Sequence, residues 1–352
     1  MKILVLKFKT IGDVLLITPL IRNLKYFYSN PLIDVAVNFG TEEMLTLNPN
    51  INKILVYNRK KIKNIPVFKK IYKEYKFVKS IRNSKYDIVI DLDTGDRGAF
   101  IAKYSGAKIK VGSGVVGNKL VNSTYTHVLP KKKKQHTIDI NLDPLRVLNI
   151  PIKDKMVEIF WDKEDENFIV KKLLNVKRFV HVHPFSKVQK KEITSLSMAE
   201  IIDYCEIELG ITVVMTSAPI KRELNKTEKI VNLCKSNPIN LSGSLSLKQV
   251  AALNKKASFF VGVDTAIMHI SAANNIPVLA FFGPTAVDSW GPWSNDLFES
   301  NYNRYSSFQQ MGMHRVYAKK CHARLFSDEI IDLDMGFVKT KVLEIYNENS
   351  NT

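Results

Sequence analysis

Residues Phe259–Thr285 read FFVGVDTAIMHISAANNIPVLAFFGPT. An apolar run ends in Gly262-Val263-Asp264-Thr265, a compact stretch follows from Ala266 to Asn274, and a second apolar run, Pro277–Phe282, ends in Gly283-Pro284-Thr285. This pattern predicts strand, sharp turn, short helix, strand and sharp turn. If the strands are parallel neighbours, both turns lie at one edge of a sheet. There the first N–H groups of a helix have no partner within the helix and attract an anion. The tract therefore predicts a site for a phosphorylated ligand, with Asp264 and His269 inside it.

The same grammar runs outward through the chain. Ile3–Phe8 suits a buried strand, Thr10-Ile11-Gly12-Asp13 a turn, and Val14–Phe27 carries Leu15, Leu16, Leu20, Leu24 and Phe27 at helical spacing. Pro19 predicts a first-turn kink or a late helix start. Ile33–Asn38, Lys53–Tyr57, Asp87–Asp91 and Lys108–Gly112 read as further strands. Past a composition change at 145–175, Asp162 with Glu164, Asp165 and Glu166 opens a linking helix. Phe179–His183 and Ile211–Thr216 then read as strands, and Ala199–Leu209, Glu228–Cys234 and Ser246–Leu253 as helices. Strand–helix alternation with buried strands predicts an α/β chain with parallel sheets. The architecture occurs twice. We expect two Rossmann-like domains facing each other across a cleft, at 1–160 and 175–330, then a C-terminal helix and tail at 331–352, helical over Asp328–Glu344.

With 352 residues and 45% hydrophobic content the chain can build two cores. No charge-free run approaches the roughly 18 apolar residues of a membrane span. Lys7 and Lys9 interrupt the first apolar run too early for a secretory core, so a cytoplasmic protein is expected. Cys205, Cys234 and Cys321 are far apart, which fits a reducing compartment and no zinc cluster. The formal charge is +18, and its distribution is uneven. Residues 1–150 hold 27 basic and 11 acidic side chains, residues 151–352 hold 25 and 23. Lysine-rich codon usage does not explain that asymmetry. The first part should attract a polyanion: nucleic acid, anionic lipid head groups or a phosphorylated glycolipid. In residues 59–85, Phe68, Tyr72, Tyr75 and Phe77 interleave with Lys69, Lys70, Lys73, Lys76 and Lys79. These are either core aromatics beside a solvated face or an interfacial patch. No nucleic-acid-binding module is recognisable.

Several residues are candidates for chemistry, each with a structural alternative. Asp13, after Gly12 at the first strand–helix turn, is either an N-cap or a base that takes a proton from a hydroxyl. The turn lacks the G-x-G-x-x-G of a dinucleotide site. Asp264 and Thr265 either cap the following helix or, with the Ala266 N–H and His269, hold a diphosphate. Gly283-Pro284-Thr285 would supply the second wall. Lys187, Lys190 and Lys191 form a basic loop that could neutralise a leaving phosphate. Glu223 follows a strand and could bind a ribose diol. Asp96-Arg97 in Asp93–Gly98 (DTGDRG) reads as a ligand-facing loop. Asp91-Leu92-Asp93 reads as a strand end and not a metal site, and the histidines, His322 among them, lack metal spacing.

Taken together, these residues resemble the ADP-heptose:lipopolysaccharide heptosyltransferases, glycosyltransferase family 9. The resemblance spans roughly residues 1–300. It is carried by Lys7–Pro19 (KFKTIGDVLLITP), His183–Lys191, Asn240–Gly243 with Leu247, and Gly262–Thr285. The tract Leu92–Gly98 with Phe100, the strand Lys108–Gly112, and His136 with Asn141–Arg146 are most similar to the heptosyltransferase III branch. The resemblance implies a GT-B fold and inverting transfer of heptose from ADP-heptose to the inner core of lipopolysaccharide or lipooligosaccharide. No cofactor would be required. Asp13 would be the base, with Thr10, Gly12, Asp96 and Arg97 on the acceptor side. Lys191 (or its neighbour Lys190), Glu223, Asp264, Thr265, Ala266, His269, Gly283, Pro284 and Thr285 would bind the donor. It also implies an anionic lipid-linked acceptor, peripheral contact with the inner face of the inner membrane, and no nucleic acid partner. The alternatives are a related glycosyltransferase with another donor or acceptor, or a basic nucleic-acid-binding protein. The chain departs from the family at Ala266, where glycine is usual, and near Val188 and Ile193, where tryptophans are usual. The cysteine-rich tail of some relatives is reduced to Cys321.

Overall fold

The computed structural model describes residues 1–58, 65–114, 119–130, 134–295, 308–311, 314–318 and 333–349. Cys321 and His322 lie outside these residues, as do 59–64 of the basic segment and 328–332 of the expected last helix. The chain divides into two compact units, Met1–Phe160 and Trp161–Thr352.

The first unit is built on strands β1 (Lys2–Lys7), β2 (Leu32–Asn38), β3 (Lys53–Tyr57), β4 (Ile88–Asp91), β5 (Ile109–Ser113) and β6 (His127–Leu129). They form one sheet in the order β3-β2-β1-β4-β5-β6, and each neighbouring pair is parallel. Central β1 and β4 are buried on both faces, as their unbroken apolar runs predict. Pro19 has the expected effect: the segment splits into helices Ile11–Leu15 and Thr18–Phe27, with proline in the first turn of the second.

The second unit repeats the plan with β7 (Phe179–His183), β8 (Thr212–Met215), β9 (Ile239–Asn240), β10 (Phe259–Val263), β11 (Val278–Phe282), β12 (Phe308–Met311) and β13 (His314–Ala318). The order is β12-β13-β11-β10-β7-β8-β9. From β9 to β13 it matches the first sheet strand for strand, and β12 adds an antiparallel edge. As expected, β10 and β11 are parallel neighbours, joined by the helix Ala266–Ala273. Helix Met335–Glu348 belongs to this unit: Val338, Val342 and Ile345, one helical face, lie in the same buried cluster as Met198 and Ile202.

Gly262 and Gly98 are dictated by close approach. A Cβ on Gly262 would stand 2.6 Å from the His183 carbonyl oxygen across the β10–β7 pair. A Cβ on Gly98 would fall 2.0 Å from Asp91 Oδ2. Asp91 is fully buried at the end of β4, accepts from the Tyr125 hydroxyl at 2.6 Å and from the Asp93 N–H at 3.0 Å, and so ties β4 to the loop before β6. Burial pushes its carboxyl up to about 7, against those hydrogen bonds, which favour the carboxylate. Because the folded state holds this proton more tightly than the unfolded state, the stability it contributes is complete below the ordinary carboxyl pKa. That stability is lost as pH rises through about 7. The melting temperature of the wild type should therefore fall between about pH 5 and about pH 8, and Asp91→Asn should flatten that slope. An equally steep slope in the variant would show that another group is responsible.

Candidate active site

In each sheet the strand order reverses beside the first strand, between β1 and β4 and again between β7 and β10. Helices leave such a pair of strands toward opposite faces, so the carboxyl ends frame an open crevice. The candidate residues collect at these two places.

In the second unit, β7 runs into Pro184, Phe185 and Ser186, all buried, and then into exposed Lys187–Lys190. Lys191 turns back: its Nζ meets Asp264 Oδ2 at 2.6 Å, with the two side chains 22% and 7% exposed. Lys190 is exposed. Ser186 Oγ donates to the Asp264 carbonyl at 3.2 Å, and the Asp264 N–H donates to the Phe281 carbonyl at 3.1 Å, so the ends of β7, β10 and β11 are tied together at one residue. Asp264 is not a cap. Thr265 is the N-cap of helix Ala266–Ala273, has extended backbone, and makes no side-chain capping bond. The first-turn N–H groups are thus left to the crevice, with half-buried Ala266 at the first helical position. His269 lies one turn in and is 4% exposed. Across the crevice edge, Gly283 is buried, Pro284 exposed and Thr285 half-buried.

The basic loop is held from beneath by Glu192, a residue the sequence reading passed over. Glu192 is 1% exposed. Its Oε1 accepts from the Ser186 N–H at 2.9 Å and from Arg222 at 2.8 Å, and its Oε2 from Lys226 at 3.0 Å. Arg222 also donates to the Ser186 carbonyl at 2.8 Å. Burying one carboxylate costs several kcal/mol unless charges and donors answer it, and here two cations do. Glu223 sits beside this network. Its Oε2 accepts from the Ala218 N–H at 2.8 Å and its Oε1 from Arg222 at 3.1 Å, and burial raises its pKa. Each oxygen keeps a second lone pair for a ligand. In the same loop, Ile193 is fully buried in the core and Val188 is 46% exposed.

A second missed feature is a buried chain of neutral groups between β7 and β8. His181 Nδ1 meets Asn254 Oδ1, its Nε2 meets the Thr216 hydroxyl at 2.7 Å, and the same hydroxyl meets His183 Nδ1 at 2.9 Å. Burial holds these imidazoles down, at about 4 for His181 and about 3 for His183, so neither is a cation at neutral pH. With Asn254 Oδ1 as acceptor, His181 donates from Nδ1, Thr216 donates to His181 Nε2, and His183 Nδ1 donates to Thr216. A histidine pair followed by Thr216 at the next strand end was the only available sequence signal.

In the first unit, Asp13 is not the N-cap. Thr10 is, and Asp13 is the third helical residue, with Oδ2 accepting from the Thr10 hydroxyl at 2.6 Å and the Thr10 N–H at 3.2 Å. The carboxylate is half-exposed, held by one oxygen, and Gly12 beside it is buried. Opposite, Asp93 Oδ2 accepts from the Phe8 N–H at 2.6 Å, and burial raises the Asp93 pKa. Thr10 and Asp93 thus pin both sides of the β1–β4 crevice. The DTGDRG tract is a loop only as far as Gly95. Asp96, exposed, begins the helix Asp96–Tyr104. Arg97 stacks 4.4 Å from the Tyr57 ring centre and pairs with Glu74 at 3.6 Å, while Glu74 accepts from the Tyr57 hydroxyl. Among the described residues, no group of three or more His, Cys, Asp or Glu is placed to hold a metal ion. None of the described helices is long and apolar enough to cross a membrane.

Comparison with known proteins agrees with this geometry. Lipopolysaccharide heptosyltransferase 3 of Escherichia coli is 27% identical over 315 residues, covering 87% of this chain and 91% of its own. Among solved structures, E. coli ADP-heptose lps heptosyltransferase II superposes with a TM-score of 0.76 at 18% identity, over 99% of this chain and 100% of that one. The E. coli heptosyltransferase WaaC with ADP gives 0.75 at 16% identity, over 98% and 100%. Both show the two-domain GT-B fold. Residues 74–317 match the profile of glycosyltransferase family 9 (heptosyltransferase), and the chain belongs to that family.

Proposed function

We propose that this glycosyltransferase moves L-glycero-D-manno-heptose from ADP-heptose to the inner core of lipopolysaccharide or lipooligosaccharide, with inversion at the anomeric carbon. The observation that carries the donor half is the Lys191–Asp264 pair, set beside a helix N-terminus that no side chain caps. A diphosphate suits that arrangement. It would accept from the first-turn N–H groups and from the remaining donors of Lys191, with Thr265, Ala266 and His269 on one wall and Gly283, Pro284 and Thr285 on the other. Glu223 is assigned to the ribose.

In the reaction, Asp13 takes the proton of an acceptor hydroxyl as its oxygen bonds to the anomeric carbon. The bond from that carbon to the phosphate oxygen breaks, and ADP leaves with the electron pair. Thr10 holds one Asp13 oxygen, which orients the other. Lys191 and the helix N-terminus meet the charge that grows on ADP. The basic first unit is assigned to an anionic lipid-linked acceptor and to peripheral contact with the cytoplasmic membrane face, with no nucleic acid partner. A related enzyme using another nucleotide sugar is the second reading, favoured by Ala266 at a position where glycine is usual.

The decisive assay incubates the purified protein with ADP-heptose and a core acceptor and follows ADP release and product mass. UDP- and GDP-sugars serve as rival donors, and transfer from one of them alone would replace the heptose assignment. Asp13→Ala should lower transfer by about 100-fold to 10,000-fold while leaving ADP affinity within about twofold of wild type. Transfer at the wild-type rate would remove Asp13 from the base role. Lys191→Ala should weaken ADP binding by about 10-fold to 100-fold, the value of a hydrogen bond to a charged group. Equal loss in Lys190→Ala with none in Lys191→Ala would move that role to Lys190.

A further inference from the structure

Next to Asp96 and Arg97, both of which line it, the first unit carries a groove of about 1290 Å³ between helix Val67–Asn83 and helix Asp96–Tyr104. Of the two readings of these aromatics, core residues or an interfacial patch, the first holds for Phe77, whose ring packs at 5.2 Å on Tyr57 and 6.5 Å on Phe8. It fails for the others. Phe68, Ile71, Tyr72 and Tyr75 are 56–68% exposed and form a second apolar stripe beside the buried one of Val78 and Ile81. Ile71, Tyr75 and Val78 wall one side of the groove, and Ala99, Phe100 and Tyr104 the other. Leaving such a surface wet is unfavourable by about 25 cal/mol per Å², and a contiguous apolar patch of this kind marks an interaction site.

The charges around it select the occupant. Lys70, Lys79, Arg82, Arg97 and Lys103 line the groove against two acids, Glu74 and the exposed Asp96, so its charged lining is net positive. Lys79 stands 5.5 Å from the Tyr75 ring centre and Lys103 5.8 Å from that of Tyr104, so the lysine stems extend the apolar wall and the ammonium groups end at its border. Between Val67 and Asn83 there are six basic side chains and one acidic, Glu74, which is engaged with Arg97 and Tyr57. An apolar floor of aliphatic and aromatic side chains below a mainly cationic rim complements an amphiphile with an anionic head. A single-stranded nucleic acid stacks its bases on exposed rings beside cations, so competition by single-stranded RNA separates that occupant from the lipid.

We infer that this groove holds an acyl chain of a phosphate-bearing lipid, with the rim cations on its phosphate. This deepens the reading of the first unit as the acceptor side and rests on it. The test uses the full-length protein and a lysophosphatidic acid carrying a diazirine near the end of its chain. Photolabelling should fall on peptides from residues 67–83 and 96–104. Glycerol phosphate, the same head without the chain, should not displace the label. The exposed substitutions Ile71→Glu and Phe100→Glu, combined, should weaken lipid binding by about tenfold or more with ADP binding retained. Should that variant lose ADP binding as a sign of misfolding, Lys79→Ala with Lys103→Ala carries the test, with a similar loss that shrinks at high salt. Labelling spread over other peptides, undiminished binding by these variants, displacement by single-stranded RNA as effective as by unlabelled lipid, or label confined to a dimer interface would overturn the inference. Transfer by the wild type from ADP-heptose to the complete acylated core acceptor is measured in parallel. Its absence would count against the transferase reading and leave the labelling result standing.

Discussion

A parallel strand must be followed by a crossover before the next can begin, and crossovers occupy the faces of the sheet, not its edge. Where the winding changes direction, two neighbouring strands send their chains to opposite faces, and nothing fills the gap between their carboxyl ends. The chain meets this constraint twice, at β1–β4 and β7–β10. Every polar group that ends a strand there needs a partner. The partners found are Thr10 with Asp13 and Phe8 with Asp93 in one unit, and Lys191 with Asp264 and Ser186 with Asp264 in the other. The chemistry assigned to the molecule uses these partnerships.

The two units manage buried acid differently. In the second, Glu192 is answered by Arg222, Lys226 and an N–H, and the network fixes the loop that presents Lys191. In the first, Asp91 has the Tyr125 hydroxyl and an N–H as hydrogen-bond partners, and burial lifts its carboxyl toward neutrality. The first arrangement gives a rigid support for a loop that must meet charge. The second ties the end of β4 to the loop before β6.

Much of this was legible in the sequence because it depends on local pattern. Apolar runs of five or six residues ending in Gly-x-Asp-Thr or Gly-Pro-Thr identify buried strands and their turns, and β10, β11 and the helix between them follow from Phe259–Thr285 alone. Pro19 marked a helix break. What was not legible depends on contacts between distant positions. Glu192 looks like one more charged residue in a basic loop until Arg222 and Lys226 are brought beneath it. Thr10, not Asp13, caps its helix: both are N-cap residue types, and the helix start at Ile11 shows which of them serves. Helical spacing placed Phe68, Tyr72, Tyr75 and Phe77 on one helix, but which of them met the core depended on where Phe8 and Tyr57 lay.

The contact between Gly98 and Asp91 also binds the history of four positions. A side chain at 98 is excluded only while a carboxylate occupies 91, and that carboxylate is tolerated in the interior only while a hydroxyl at 125 faces it. The Tyr125 ring in turn excludes a side chain at Gly112, where a Cβ would lie 2.2 Å from it. Drift at any one of the four leaves the others either strained or redundant. Descendants of this chain should therefore change at 91, 98, 112 and 125 as a set, and a lineage that replaced the acid with an apolar residue would be free to fill both glycines.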